Sequence, residues 1–305
     1  EKTTDWRLEK MTKRVFIDTS WNSKPHICYD PEKDVFFEVD DLRELPEGYD
    51  EIYLDSSIFP NMWEQLKPLI YDGRRVFYFA RPWKWREIRQ RFREDLKSKT
   101  GRVSKSDRGD AFLLWKVYEL SLIKKNTHRY FKEINNVDVE LRPLLMKENI
   151  LYKTLQKLQA MKEVGVDVLN EIKEYEEKLK NIRMEIVEKA FNVIPRFNEI
   201  AEGLGLGKED ISGLTGLTAL LVYLKLRSVN KCINYMKLFK AKGKDGKKKL
   251  KCNRKLARYC NILTHSILWR NNQYGIARLK DMRMTVKKLV SLLRETESAM
   301  TGEGG

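Results

Sequence analysis

Lys105-Ser106-Asp107-Arg108-Gly109-Asp110-Ala111 sets two carboxylates three residues apart where an apolar helical pattern begins. At that spacing Asp107 and Asp110 share one face of a helix. Leu113, Leu114, Val117 and Leu120 follow, and they would pack the helix against a sheet while its first turn stays at the sheet's edge. Carboxylates held there beside Lys105 and Arg108 suit a divalent metal ion and a phosphate. The alternative is an acidic first turn that complements the helix dipole and does nothing more.

The upstream sequence separates the two readings. Val15-Phe16-Ile17 is a short apolar run ending at Asp18, which predicts a buried strand that delivers a carboxylate. His26 to Tyr29 and Val35 to Val39 flank Asp30-Pro31-Glu32-Lys33-Asp34, whose turn chemistry joins two antiparallel strands. Glu51-Ile52-Tyr53-Leu54-Asp55 again ends an apolar strand in a carboxylate. A helix over Met62 to Ile70 and a strand over Arg75 to Ala80 complete the order of a mixed sheet with helices packed on it. Arg81 to Arg102 interleaves Trp83 and Trp85 with basic residues, which suits either base stacking with phosphate neutralisation or tryptophans that cap the sheet.

A chain of 305 residues, 42% hydrophobic, can fill more than one core, and its formal charge of +16 calls for a polyanionic partner, for which nucleic acid is the leading class. The most apolar stretch, Leu214 to Leu226, is too short and too interrupted to span a bilayer, and Glu1 to Arg14 lacks a secretion-signal pattern. No membrane role is expected. Cys28, Cys232, Cys252 and Cys260 never form a C-x-x-C pair, and His26, His128 and His265 lie far apart, so a structural zinc site is not expected. The reading is of reduced thiols in a cytoplasmic protein.

Beyond a polar connector, Asn126 to Asp138, the pattern becomes long helices. Leu144, Leu151, Leu155 and Leu158 form one stripe, and Val168, Ile172, Tyr175, Leu179, Ile182 and Ile186 form a heptad, with Gly165 placed to turn the chain into a hairpin. A partner chain is the other possible cover for that stripe. After Pro195, glycines mark loops, and Ile211 to Ala219 carries glycines between apolar residues in the manner of a helix-hairpin-helix turn, or of a tight turn between core helices. Lys240 to Lys251 is the most basic stretch, expected as a loop in which Lys242, Lys244, Lys247, Lys248 and Lys249 meet phosphates, with Arg254 opening the next helix.

An Asp after the first strand, an acidic residue after a later strand, and K-[ST]-D-x-x-D-A opening a helix together resemble the amino-terminal half of the IS110/IS116/IS902 transposases. Here these are Asp18, Asp55 and the heptapeptide from Lys105 to Ala111. The resemblance implies a ribonuclease H-type, RuvC-like catalytic domain over residues 1–125. It also implies a coiled-coil segment over 126–193 and a helical transposase domain over 194–305, an α/β part followed by an all-α part. Asp18, Asp55, Asp107 and Asp110 would hold Mg2+ and be catalytic, and Lys105 and Arg108 would meet nucleic acid. DNA, a structured guide RNA and further copies of the chain in a dimer or tetramer are the implied partners.

Two departures keep other functions open. Asp55 stands where the family usually has Glu, and Asn253 to Arg258 only loosely resembles the family's G-[ND]-x-x-L-R segment, with Cys252 and Ala257 at two of its positions. The family's attacking serine has no counterpart between Lys240 and Lys251, so the nucleophile is unassigned, with Cys252 as one substitute. Beside the recombinase stand a relative that binds nucleic acid without cutting it and a RuvC-like nuclease that uses water.

Overall fold

The computed structural model describes residues 12–20, 24–55, 61–224, 229–236, 240–242, 248–250, 253–270 and 279–302. The chain divides into two compact units, Glu1–Val139 and Glu140–Gly305.

In the first unit Val15, Phe16 and Ile17 are fully buried because β1 (Arg14–Asp18) lies inside a sheet covered on both faces, which explains an unbroken apolar run instead of an alternating one. β2 (His26–Asp30) and β3 (Val35–Val39) add an antiparallel meander on one side. On the other side β4 (Glu51–Leu54) and β5 (Arg75–Phe79) run parallel to β1. β6 (Phe131–Ile134) forms the far edge, antiparallel to β5. The resulting mixed six-stranded sheet, ordered β3-β2-β1-β4-β5-β6 with flanking helices, is compatible with a ribonuclease H-like fold. β6 corrects the reading of residues 126–138 as a connector. Its charged Lys132 and Glu133 sit between buried Phe131 and Ile134, so the strand looks polar in sequence.

α1 (Met62–Tyr71) buries Met62, Trp63, Leu66 and Leu69 and packs on β5 and on the short turn Leu42–Glu44. α2 (Trp85–Arg91) and α3 (Arg93–Thr100) lead to α4 (Asp107–Ile123), and α5 (Thr127–Tyr130) precedes β6. Phe16, Tyr53 and Phe77 are register neighbours across β1, β4 and β5, with ring centroids 5.0 and 4.8 Å apart. α4 covers this aromatic face, setting Tyr118 4.8 Å from Tyr53 and Phe112 5.5 Å from Tyr29. Each such pair adds about 0.5–1.5 kcal/mol beyond the area it buries. Gly109 lets α4 start here, since a Cβ would stand 2.7 Å from Ser106 Oγ and 3.2 Å from Leu96 Cδ1. At the other end of the strands Glu51 is closed by Arg14 Nε at 2.8 Å, Arg75 Nη1 at 2.9 Å and the Tyr53 hydroxyl at 2.9 Å.

The second unit is largely helical. α6 (Asn136–Glu163), which opens in the last residues of the first unit, and α7 (Leu169–Val193) form an antiparallel hairpin turned at Gly165, where φ is +87°. Leu155, Ile172, Leu179, Ile182 and Ile186 are buried, so the heptad stripe finds cover within the chain. α8 (Phe197–Gly203), α9 (Ile211–Leu224), α10 (Val229–Met236), α11 (Arg254–Arg270) and α12 (Leu279–Gly302) follow. Between α10 and α11, β7 (Lys240–Lys242) and β8 (Lys248–Leu250) pair antiparallel, so the expected basic loop begins and ends as a β-hairpin.

The helix-hairpin-helix-like turn expected at Ile211 to Ala219 is corrected, because those residues are helix α9. The turn lies upstream, where Gly205 has φ +80°. Gly216 serves close packing: a Cβ there would stand 2.9 Å from Tyr259 O and 3.0 Å from Leu263 N of α11. Asp210 already caps α9, accepting from Gly213 N at 2.9 Å, so the exposed N–H groups expected for a phosphate meet a carboxylate. Among the described residues no helix is long and apolar enough to cross a membrane.

Candidate functional site

Side chains alternate along a strand, so residues two apart share a face. Asp18 follows Phe16 by two and Asp55 follows Tyr53 by two, and Phe16 and Tyr53 are register partners on the face that α4 covers. The two carboxylates therefore project to that same face, at the carboxyl ends of adjacent parallel strands. Asp55 N donates to Ile17 O at 3.0 Å and so continues the β1–β4 ladder into the site. In open α/β sheets this edge is where ligands bind.

The first turn of α4 supplies the rest. Ser106 caps it, accepting from Gly109 N at 3.1 Å, and this fixes Asp107 and Asp110 on the turn. Asp110 is 5% exposed, whereas Asp107 is open to solvent. Burial first, and then the charges of Asp55, Asp110 and Asp107, push the Asp18 carboxyl up to about 8 against the opposing charge of Lys105. The four predicted acidic residues thus meet electrically at Asp18. Asp110 is also raised by burial, even though Arg89 pairs with it.

Two partners in this cluster are absent from the sequence reading. Arg89 Nη2 on α2 donates to Asp110 Oδ1, and the Thr19 hydroxyl donates to Asp55 Oδ1. Arg89 is visible in sequence only as one of many basic residues, and nothing local marks its pairing across 21 positions.

The fit to a divalent cation has two sides. Carboxylates are the right donors for a hard ion, and after burial it is the charges of the other three that raise Asp18. Yet among the described residues no three His, Cys, Asp or Glu side chains stand at metal-holding spacing. Asp55 is turned to Thr19 and Asp110 to Arg89. The donor set fits in chemistry and charge, and its side chains are not preset as a cage.

The predicted nucleic-acid residues scatter. Lys105 and Arg108 are exposed at the start of α4, where Arg108 lies 3.9 Å from Glu38. Arg254 is exposed as the first residue of α11. Lys242, Lys248 and Lys249 lie in the paired strands β7 and β8, while Lys244, Lys247 and Cys252 lie outside the described residues. The two tryptophans divide: Trp85 packs 4.8 Å from Phe79, and Trp83 is 71% exposed. No protein-family model matches the chain, and no curated protein matches it.

Proposed function

We propose that the chain is a divalent-cation-dependent enzyme that cuts and exchanges DNA strands, a recombinase resembling the IS110-type transposases and working in the cytoplasm with a structured guide RNA and further copies of itself. What supports this reading is that Asp18 and Asp55 end adjacent parallel strands of a mixed sheet compatible with a ribonuclease H-like fold, and that the charges of Asp55, Asp110 and Asp107 all act on Asp18.

Asp18, Asp55, Asp107 and Asp110 would hold Mg2+, which when bound polarises a scissile phosphate and stabilises charge on its oxygens. The chain's own part is separable from that. Burial and the neighbouring carboxylates raise the Asp18 carboxyl to about 8, so at neutral pH it would release a proton on holding a cation. Arg89 holds Asp110 against α2 and balances part of the acidic charge. Lys105 and Arg108, exposed beside the carboxylates, would draw the strand in by charge. No described cysteine suits the attack: Cys28, Cys232 and Cys260 are buried, and burial pushes the Cys28 and Cys260 thiols up to about 12.

One observation favours a second reading. Thr19 and Arg89 engage two of the four carboxylates, as they would in a protein that binds nucleic acid without cutting it. Incubating supercoiled and branched DNA with the protein and Mg2+ separates the cases. Protein covalently attached to DNA is expected for a recombinase, free ends mark a water-using nuclease, and intact DNA at every metal tried marks the binder. Asp18→Asn should abolish either form of cutting while DNA binding survives.

A further inference from the structure

Trp83 and Trp85 lie two positions apart, and the fold treats them oppositely. Trp85 packs 4.8 Å from Phe79 and belongs to the cover of the sheet. Trp83 stands in the single turn Pro82–Lys84 and is 71% exposed. A lone apolar residue on a surface is ordinary, so the setting of this one decides what it does.

The turn sits at the edge where open α/β sheets bind ligands. The ladder pairs Leu54 of β4 with Tyr78 of β5, so Asp55 and Phe79 each come next at the same carboxyl edge, and the turn opens three residues later. From there α2 runs to Arg89, whose Nη2 donates to Asp110 of the acidic cluster. The turn is also held in place. Pro82 fixes its first φ, Ala80 N donates to Tyr130 O at 2.7 Å, Arg81 Nε donates to Arg129 O at 2.8 Å, and the Arg81 guanidinium lies 5.4 Å from the centroid of Tyr130. An indole on an anchored turn loses little conformational freedom on meeting a flat partner. Between Arg81 and Lys105 the chain carries ten basic residues against three acidic ones, and Arg86, Arg91 and Arg93 are exposed. A nucleotide strand answers both features, since every base offers a flat π-face and every link a phosphate.

We propose that Trp83 is a stacking platform for an unpaired base of the DNA strand that approaches the carboxylate cluster, so that this edge prefers a single-stranded or opened segment to an intact duplex. Bases inside a duplex are stacked on one another and present only their edges, whereas an unpaired base exposes its face. The course of the strand toward the carboxylates rests on the strand-cutting reading above. The stacking contact itself needs neither cleavage nor metal.

The test is fluorescence anisotropy of labelled DNA on the full chain without divalent metal, using a single strand, an abasic single strand and a blunt duplex of equal length. Trp83→Ala should weaken binding of the single strand about 10-fold and leave the abasic strand and the duplex unchanged. The slope of log affinity against log salt should also stay as it is, because no phosphate contact is lost. Trp83→Tyr should restore most of the affinity and Trp83→Leu should not, since stacking needs a ring and not merely an apolar side chain. At 71% exposure these substitutions disturb no core. Unchanged single-strand affinity in Trp83→Ala, an equal loss on the abasic strand, or full binding by Trp83→Leu would overturn the platform. Loss of self-association in sedimentation with DNA affinity intact would overturn it too, as the mark of a protein interface. Cutting of branched DNA by the wild type with Mg2+, together with unchanged affinity in Trp83→Ala, would overturn the platform and keep the strand-cutting reading. A Trp83-dependent affinity in a protein that cuts nothing would do the reverse.

Discussion

Asp18 and Glu148 are both carboxylates inside a folded unit, and their surroundings are opposite. Burial raises both. For Glu148 the opposing pull of Arg258, Tyr259 and Arg183 prevails and its pKa ends below the usual value, while Asp18, among three other carboxylates and one exposed lysine, ends at about 8. A carboxylate closed by guanidiniums belongs to the framework, and Glu51, held by Arg14 and Arg75 at the far end of the same sheet, is of that kind. A carboxylate gathered with its own kind is left wanting a cation. What sets the two carboxylates apart is the charges that face them, since burial raises both.

The largest effect expected from this contrast is in the helical unit. Glu148→Gln leaves the half-buried Arg183 and Arg258 without the fully buried carboxylate between them, and should lower unfolding stability by about 3–5 kcal/mol in a urea titration. The Glu148 contribution is present above its unfolded pKa and is lost as pH falls through its lower native value, so the wild type should approach the variant only in acid. A loss below about 1 kcal/mol would break the contrast by showing that the cluster is not a framework element.

Asp18→Asn should act in the other direction. Native Asp18 keeps its proton up to about pH 8, whereas the unfolded carboxyl releases it near 3.8, so wild-type stability falls as pH rises between those values. The variant removes that slope and should be more stable than the wild type by on the order of 1–3 kcal/mol at pH 7.5 without metal, measured by thermal unfolding across pH. Added Mg2+ should stabilise the wild type and leave the variant unchanged. A destabilised variant with the wild-type pH slope would place Asp18 with Glu148.

The smallest effect is at Lys105, which opposes the upward push on Asp18 from an exposed position. Lys105→Ala should move the Asp18 titration, followed by carboxyl NMR, upward by about half a pH unit, and less in high salt. No movement would mean that the exposed lysine is screened out of the cluster.

How much of this was legible follows from range. Asp18, Asp55 and the Asp107 turn were readable because each ends or begins an element whose apolar pattern is local. That Asp18 and Asp55 fall at one edge was readable because parallel strands gather their carboxyl ends there. β6 was hidden because the two residues between Phe131 and Ile134 are charged. α9 was misread because a glycine that lets two helices touch, as Gly216 does against Tyr259 and Leu263, looks in sequence like one that makes a turn. Arg89 with Asp110, and Lys255 with Tyr223, are pairs made by tertiary packing across 21 and 32 positions, with no local pattern to announce them.

Carboxylates that form one cation site at the strand ends take up a divalent ion together. Uptake of Mn2+ by the intact chain at pH 7.5, followed by the electron paramagnetic resonance signal of the free ion, tests it most directly. Saturable uptake with proton release is expected of the wild type and should be abolished in Asp18→Asn. Equal uptake by the wild type and Asp18→Asn, or none by either, would contradict it.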